Sequence, residues 1–176
     1  MIEEGVDHVA YELVLCQVFE QEVLRGEVSM NIEAPIVPGE SVAGIQLGSP
    51  IEEILKEQEP HFSSEEVVNP WVPLPIITRY RSAMVDLWVR EEIVDQIMVH
   101  DGYRGKLLDT IGLGSTLADI ERHIGAWEED EEDNLVIRDL PGVGFEIEGY
   151  FPGLKDPAFR SAPIKEIYVF SLSLPS

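Results

Sequence analysis

Apolar and polar positions alternate most clearly in the middle of the chain. Residues 76–80, 84–89 and 93–100 are short runs rich in β-branched and aromatic side chains, and they read as strands. Arg90-Glu91-Glu92 lies between the last two and predicts a hairpin turn. Upstream the period changes. Val9, Leu13, Cys16, Val23 and Leu24 fall near one face of a helix over residues 9–24, with Glu12, Glu20 and Glu22 elsewhere and Gly26 as a stop. The valines and Tyr11 keep a strand reading of that segment open. Residues 27–37 alternate loosely, as in a short strand, and Pro35, Pro38 and Gly39 mark a turn. Residues 63–75, with two serines, Asn69 and three prolines, read as a loop or irregular edge.

Helix signals occur twice in the same wording. In Ile-Gln-Leu-Gly-Ser-Pro-Ile-Glu-Glu-Ile-Leu-Lys56, Ser49 suits an N-cap, Pro50 the first helical position and Glu52 the reciprocal partner of a capping box. Ile-Gly-Leu-Gly-Ser-Thr-Leu-Ala-Asp-Ile-Glu-Arg122 matches it at an offset of 66, and Ser115 takes the cap role of Ser49. Strand candidates at 135–137, 144–148 and 164–172 follow the second copy. The last of these, Pro-Ile-Lys-Glu-Ile-Tyr-Val169, echoes Ile-Val-Asp-Gln-Ile-Met-Val99. The expectation is an α+β fold: two tandem helix-plus-antiparallel-meander repeats sharing one core, preceded by an N-terminal helix. Repeat one would span about residues 40–104 and repeat two about 105–174, within a single domain of residues 1–176.

The Leu-Gly-Ser/Thr-x-x-x-Asp/Glu-Ile pattern, followed by a short helix and a meander ending in Ile-x-x-Ile, resembles the repeat of SmpA/BamE-like and β-lactamase-inhibitor-protein-like domains. That resemblance covers about residues 40–100 and 107–172, and it implies an antiparallel sheet that carries a partner surface. The chain departs from both groups. Its acidic first residues are not expected to act as the signal peptide of such lipoproteins, nor Cys16 as their anchored cysteine, and a single cysteine excludes the intrachain disulfides of the inhibitor type. In size, charge and want of an active site it is also similar to bacterial toxin-immunity proteins.

Charge narrows the classes of partner. The 176 residues hold 34 Asp and Glu against 12 Lys and Arg, a formal net charge of −22. Such a surface repels nucleic-acid phosphates and anionic membranes, and it steers association with basic partners. An acidic composition shared by a whole proteome would give the same figure. No apolar run approaches the ~20 residues of a membrane span, and the acidic N-terminus has no positive region of a signal peptide; the expected location is the cytoplasm.

The densest local feature is Trp127 followed by Glu128, Glu129, Asp130, Glu131, Glu132 and Asp133. It reads as an acidic patch with an aromatic anchor that binds a basic protein, such as a toxin or effector domain, or else as a solvated loop. Asp130, Glu132 and Asn134 alternate, but the glycine and terminal bidentate Glu of a calcium loop are missing. His8, His61, His100 and His123 are dispersed, so no metal site or cofactor is expected. His100 beside Asp101 offers the one acid–base pair, although neighbours on a strand point to opposite faces. No phosphate loop or nucleophile elbow is present. The expected function is therefore a protein-binding inhibitor of immunity type, without catalysis, that masks a basic active-site surface. A small enzyme using His100 and Asp101, and an acidic adaptor of a secretion or assembly system, are the alternatives.

Overall fold

The computed structural model describes residues 30–57, 62–67, 77–130, 133–150 and 157–172. Two very short strands, β1 (Ser41–Val42) and β2 (Ile45–Gln46), pair as a hairpin and lead into helix α1 (Ile51–Glu57). Four strands follow: β3 (Ser63–Val67), β4 (Ile77–Arg81), β5 (Val85–Arg90) and β6 (Ile93–Val99). Helix α2 (Leu117–His123) precedes β7 (Trp127–Glu129), β8 (Leu135–Ile137) and β9 (Leu140–Ile147). A 3-10 turn at Pro157–Ser161 then leads into β10 (Ile164–Phe170). The last eight strands form one antiparallel sheet in the order β3-β4-β5-β6-β10-β9-β8-β7, closed at its centre by pairing of β6 with β10.

This architecture corrects the expected α+β fold of two helix-plus-meander repeats. The described chain is mostly β, with two helices of seven residues each and one continuous eight-stranded sheet beside the β1–β2 pair. The short strands β1 and β2 and two strands of the large sheet, β3 and β7, escaped the sequence reading. β3 was expected as loop, since all five of its residues are exposed and it has no apolar face to betray it. β7 lies inside the acidic run. The expected N-terminal helix over residues 9–24 falls outside the described residues.

One face of the sheet is apolar because the strand pattern puts Val85, Leu87, Val89, Ile97, Val99, Val143, Phe145, Ile167 and Val169 on it, all buried. Ile51 and Ile54 of α1, Leu117 and Ile120 of α2, and Ile36, Val42, Leu107 and Ile111 of the connecting loops complete that core. Helices this short have little intrinsic stability, and their apolar stripes hold them in place. The two helix starts differ from the expected caps. At α1 the Ser49 carbonyl accepts from the Val94 amide at 3.0 Å and the Ile51 amide donates to Glu92 at 2.9 Å, tying the helix start to β6 and its turn. At α2 the cap is Thr116, whose hydroxyl accepts from the Asp119 amide (3.2 Å) while Asp119 accepts from the Thr116 amide (3.0 Å). Ser115 instead accepts from the Gly112 amide at 3.1 Å. Thr116, by hydroxyl and amide, holds the Asp119 carboxyl below its ordinary value.

Tyr103 pins the loops to the core by donating to the Ala34 carbonyl and accepting from the Ala43 amide. Burial raises its hydroxyl pKa against the opposing pull of that amide. Gly105 sits so close beneath that a Cβ there would lie 1.9 Å from the Ala34 oxygen. Between β5 and β6, Glu91 and Glu92 both take left-handed backbone angles (φ 50° and 65°), the twist a two-residue hairpin needs.

Candidate functional site

The opposite, outer face of the sheet carries the charge. Register alone lines up Ser63, Arg81, Asp86, Met98, Tyr168, Gly144, Val136 and Glu128 in one row across all eight strands. Strand alternation adds Arg79 and Trp88 on one side of that row, and Glu166 and Glu146 on the other. The middle of the row is closed over. Met98 and Tyr168 are buried, and the Tyr168 ring lies so flat on Gly144 that a Cβ there would stand 2.3 Å from it.

At the β4–β6 end the charges grouped around Asp86 are paired with one another. Asp86 is 2% exposed, the one buried charged residue among those described. Its Oδ2 accepts from Arg79 Nε (3.1 Å) and Nη2 (2.6 Å), and Arg81 Nε stands 3.7 Å away. His100 Nε2 lies 3.4 Å from Oδ1. Glu65 on the edge strand closes the group at 3.8 Å from both arginines, and Arg79 stacks 4.6 Å over Trp88. The carboxylate beside His100 is thus Asp86, fourteen positions away, and Asp101 is exposed in the turn after β6. Bound by Arg79, Asp86 is fixed as a structural counter-ion, and its fit is that of a buried pair in which each group satisfies the other.

The acidic run lies at the far edge. Trp127, Glu128 and Glu129 form β7, and the chain turns back through Asp130 and Asp133 into β8; Glu131 and Glu132 lie outside the described residues. Trp127 packs half-buried against the core and donates its Nε1 proton to Glu121 of α2 at 2.9 Å, so its indole is already engaged within the protein. Glu121 also pairs with Arg160. Glu128 meets Arg138 at 2.8 Å on the surface, a contact worth little in water. Asp130 caps the turn by accepting from the Asn134 amide (2.9 Å) and side chain (3.1 and 3.2 Å). Asp133 is exposed, with a left-handed φ of 66°.

Beside this hairpin is a feature that the linear sequence does not announce. Glu146 of β9 and Glu166 of β10 are direct cross-strand partners. Partial desolvation, the facing Glu166 charge and a hydrogen bond to Glu166 raise the Glu146 carboxyl above its ordinary value, and Arg79 pulls more weakly the other way. Like charges directly opposed on neighbouring strands are destabilising. Glu146 also lines a cavity of about 230 Å³ together with Asp133, Asn134, Phe145, Tyr150 and Tyr168. No group of three or more His, Cys, Asp or Glu side chains is arranged to hold a metal among the described residues. No described helix is long and apolar enough to cross a membrane.

No protein-family profile matches the chain, and no curated protein matches it in sequence. Among solved structures, the chain is similar to the uncharacterized protein yfeY from Escherichia coli, with a TM-score of 0.53 and 11% identity over 76% of this chain and 98% of that one. At that identity the likeness speaks for the fold alone. A cysteine-rich secretory protein from Staphylococcus aureus aligns with a TM-score of 0.40 and 9% identity, over 82% of this chain and 49% of that one.

Proposed function

We propose that this chain is a cytoplasmic binding protein whose acidic corner, built from the β7–β8 hairpin and the Glu146–Glu166 pair, docks on a basic protein surface. An immunity-type inhibitor that masks the basic active-site cleft of a toxic effector fits that description. The observation that supports it most is the direct opposition of Glu146 and Glu166 next to the hairpin carboxylates. A folded protein gains nothing by facing two carboxylates across a strand pair, whereas a cationic partner turns the same arrangement into attraction. The balanced group around Asp86 shows how this sheet treats charges that serve only the fold.

The test is kinetic. A partner recovered by affinity capture is titrated against the chain between about 0.05 and 0.5 M salt, where the Debye length falls from roughly 14 to 4 Å. The association rate should drop steeply with salt, and binding should inhibit the partner's own activity. A partner with a neutral or acidic surface, or an association rate flat in salt, sinks the reading.

A further inference from the structure

The cavity beside the hairpin is more specific than a patch of negative charge. At about 230 Å³ it falls below the usual range of small-molecule pockets, roughly 300–1,000 Å³, and suits one long side chain. Tyr150 and Tyr168 give it aromatic walls, Phe145, whose ring faces the core, lines it from its strand, and Glu146 and Asp133 give it carboxylates. Tyr150 is braced by an edge-on contact with Phe159, ring centroids 5.3 Å apart. Tyr168 is held flat by Gly144. The walls are therefore set before any ligand arrives.

We infer that this cavity receives a single arginine side chain of the partner, with the guanidinium on the Glu146 carboxylate and against the tyrosine rings. The inference rests on the reading of the acidic corner as a docking surface and gives that surface its anchor point. Guanidinium is the chemistry that fits best: it is planar, stacks on aromatic faces, is more weakly hydrated than an ammonium, and pairs with a carboxylate through two parallel N–H bonds. Its charge also answers the repulsion between Glu146 and Glu166. Partial burial and the facing Glu166 outweigh the pull of Arg79 and raise the Glu146 carboxyl, so a cation brought directly onto it would be favoured. A neutral or acidic side chain would leave both carboxylates uncompensated.

The test uses the full chain and three capped tripeptides, Gly-Arg-Gly, Gly-Lys-Gly and Gly-citrulline-Gly, followed by amide and aromatic NMR shifts. The arginine peptide should give saturable shifts confined to residues 133–135, 145–147, Tyr150 and Tyr168. The lysine peptide should bind several-fold more weakly, and the citrulline peptide should leave the spectrum unchanged. Glu146→Gln should weaken arginine binding at least tenfold while keeping the native spectrum, because removing one of two opposed charges does not harm the fold. Equal shifts from citrulline, shifts spread over the whole acidic surface, or undiminished binding by Glu146→Gln overturn the inference. A deca-arginine peptide separates the two levels of the proposal. Salt-dependent binding of that peptide without shifts in the cavity removes the arginine site and leaves the docking corner standing. Absence of any binding removes both.

Discussion

Asp86 and Glu146 stand on the same face of one sheet, and each looks directly across at a charged residue on the next strand. For Asp86 that residue is Arg81; for Glu146 it is Glu166. Around Asp86, two arginines, a histidine and Glu65 converge until no charge in the group lacks a counterpart. Around Glu146 the nearest neighbours are a carboxylate, tyrosines and a cavity, and the Arg79 charge acts on it more weakly than Glu166 does. A buried charge that is fully paired specifies the structure, and losing its partner is expensive. A charge held against its like is a cost to the free protein and a resource for a complex. The sheet thus divides into a half whose charges are paired within the fold and a half in which like charges face each other.

The largest effect should come from breaking the paired half. Arg79→Ala leaves the Asp86 carboxylate buried without its main donor and removes the stack on Trp88. A stability loss of about 3 kcal/mol in urea denaturation is expected. Binding of a basic partner, measured where the variant is folded, should be unchanged. Normal stability with collapsed affinity would move the functional site to Asp86 and erase the contrast between the halves.

Next in size is the seam that separates them. Gly144→Ala forces a Cβ into the Tyr168 ring, and the ring must lift. Overpacking of this kind costs about 1–3 kcal/mol, and here it should also distort the cavity wall that Tyr168 forms. A variant as stable as the parent would mean that the ring moves freely and does not define the cavity.

Neutralising the half with opposed like charges should act on rate. With Glu128→Gln, Glu129→Gln and Asp133→Asn combined, association with a basic partner at about 0.05 M salt should slow roughly tenfold and converge with the parent near 0.5 M. Asn tolerates the left-handed backbone of residue 133, and Asp130 is kept because it braces the turn. An unchanged salt slope would return the run to the status of a solvated loop and leave the net charge as a property of the whole surface.

What the sequence made legible follows the same division. β5, β6 and β10 were readable because β-branched residues alternate along them, and the acidic run was readable because its residues are contiguous. β3, Ser-Ser-Glu-Glu-Val67, was not, since an edge strand held by the hydrogen bonds of its one neighbour needs no apolar face. The cap of α2 was misplaced by one residue because Ser115 and Thr116 are adjacent and equally able to accept; the backbone assigns Thr116. His100 was paired with its sequence neighbour, whereas a carboxylate near a strand histidine comes from the adjoining strand, here Asp86. Glu146 and Glu166 are opposed only through the β9–β10 register, with its irregularity between Ile164 and Glu166. Nothing in their local sequence predicts that register, so the part of the corner richest in consequence was the part least visible.

The smallest effect gives the sharpest test of that opposition. A carboxyl raised in the folded state above its ordinary 4.5 holds its proton more tightly there than in the unfolded chain. Its contribution to stability is therefore complete below that ordinary value and is lost as pH rises through the raised one. Glu146→Gln has no such loss. The variant should gain on the parent between acid and neutral pH, ending about 0.5 kcal/mol more stable at pH 7, a rise of about 2 °C in Tm. Glu166→Gln should behave alike, and the double variant should add little to either, since removing one charge ends the repulsion between them. Full additivity, or a difference independent of pH, would show that each carboxylate answers to something other than its opposite number. Added cationic partner should erase the parent's deficit at pH 7 and leave Glu146→Gln with the weaker complex, so that the less stable free protein is the better binder.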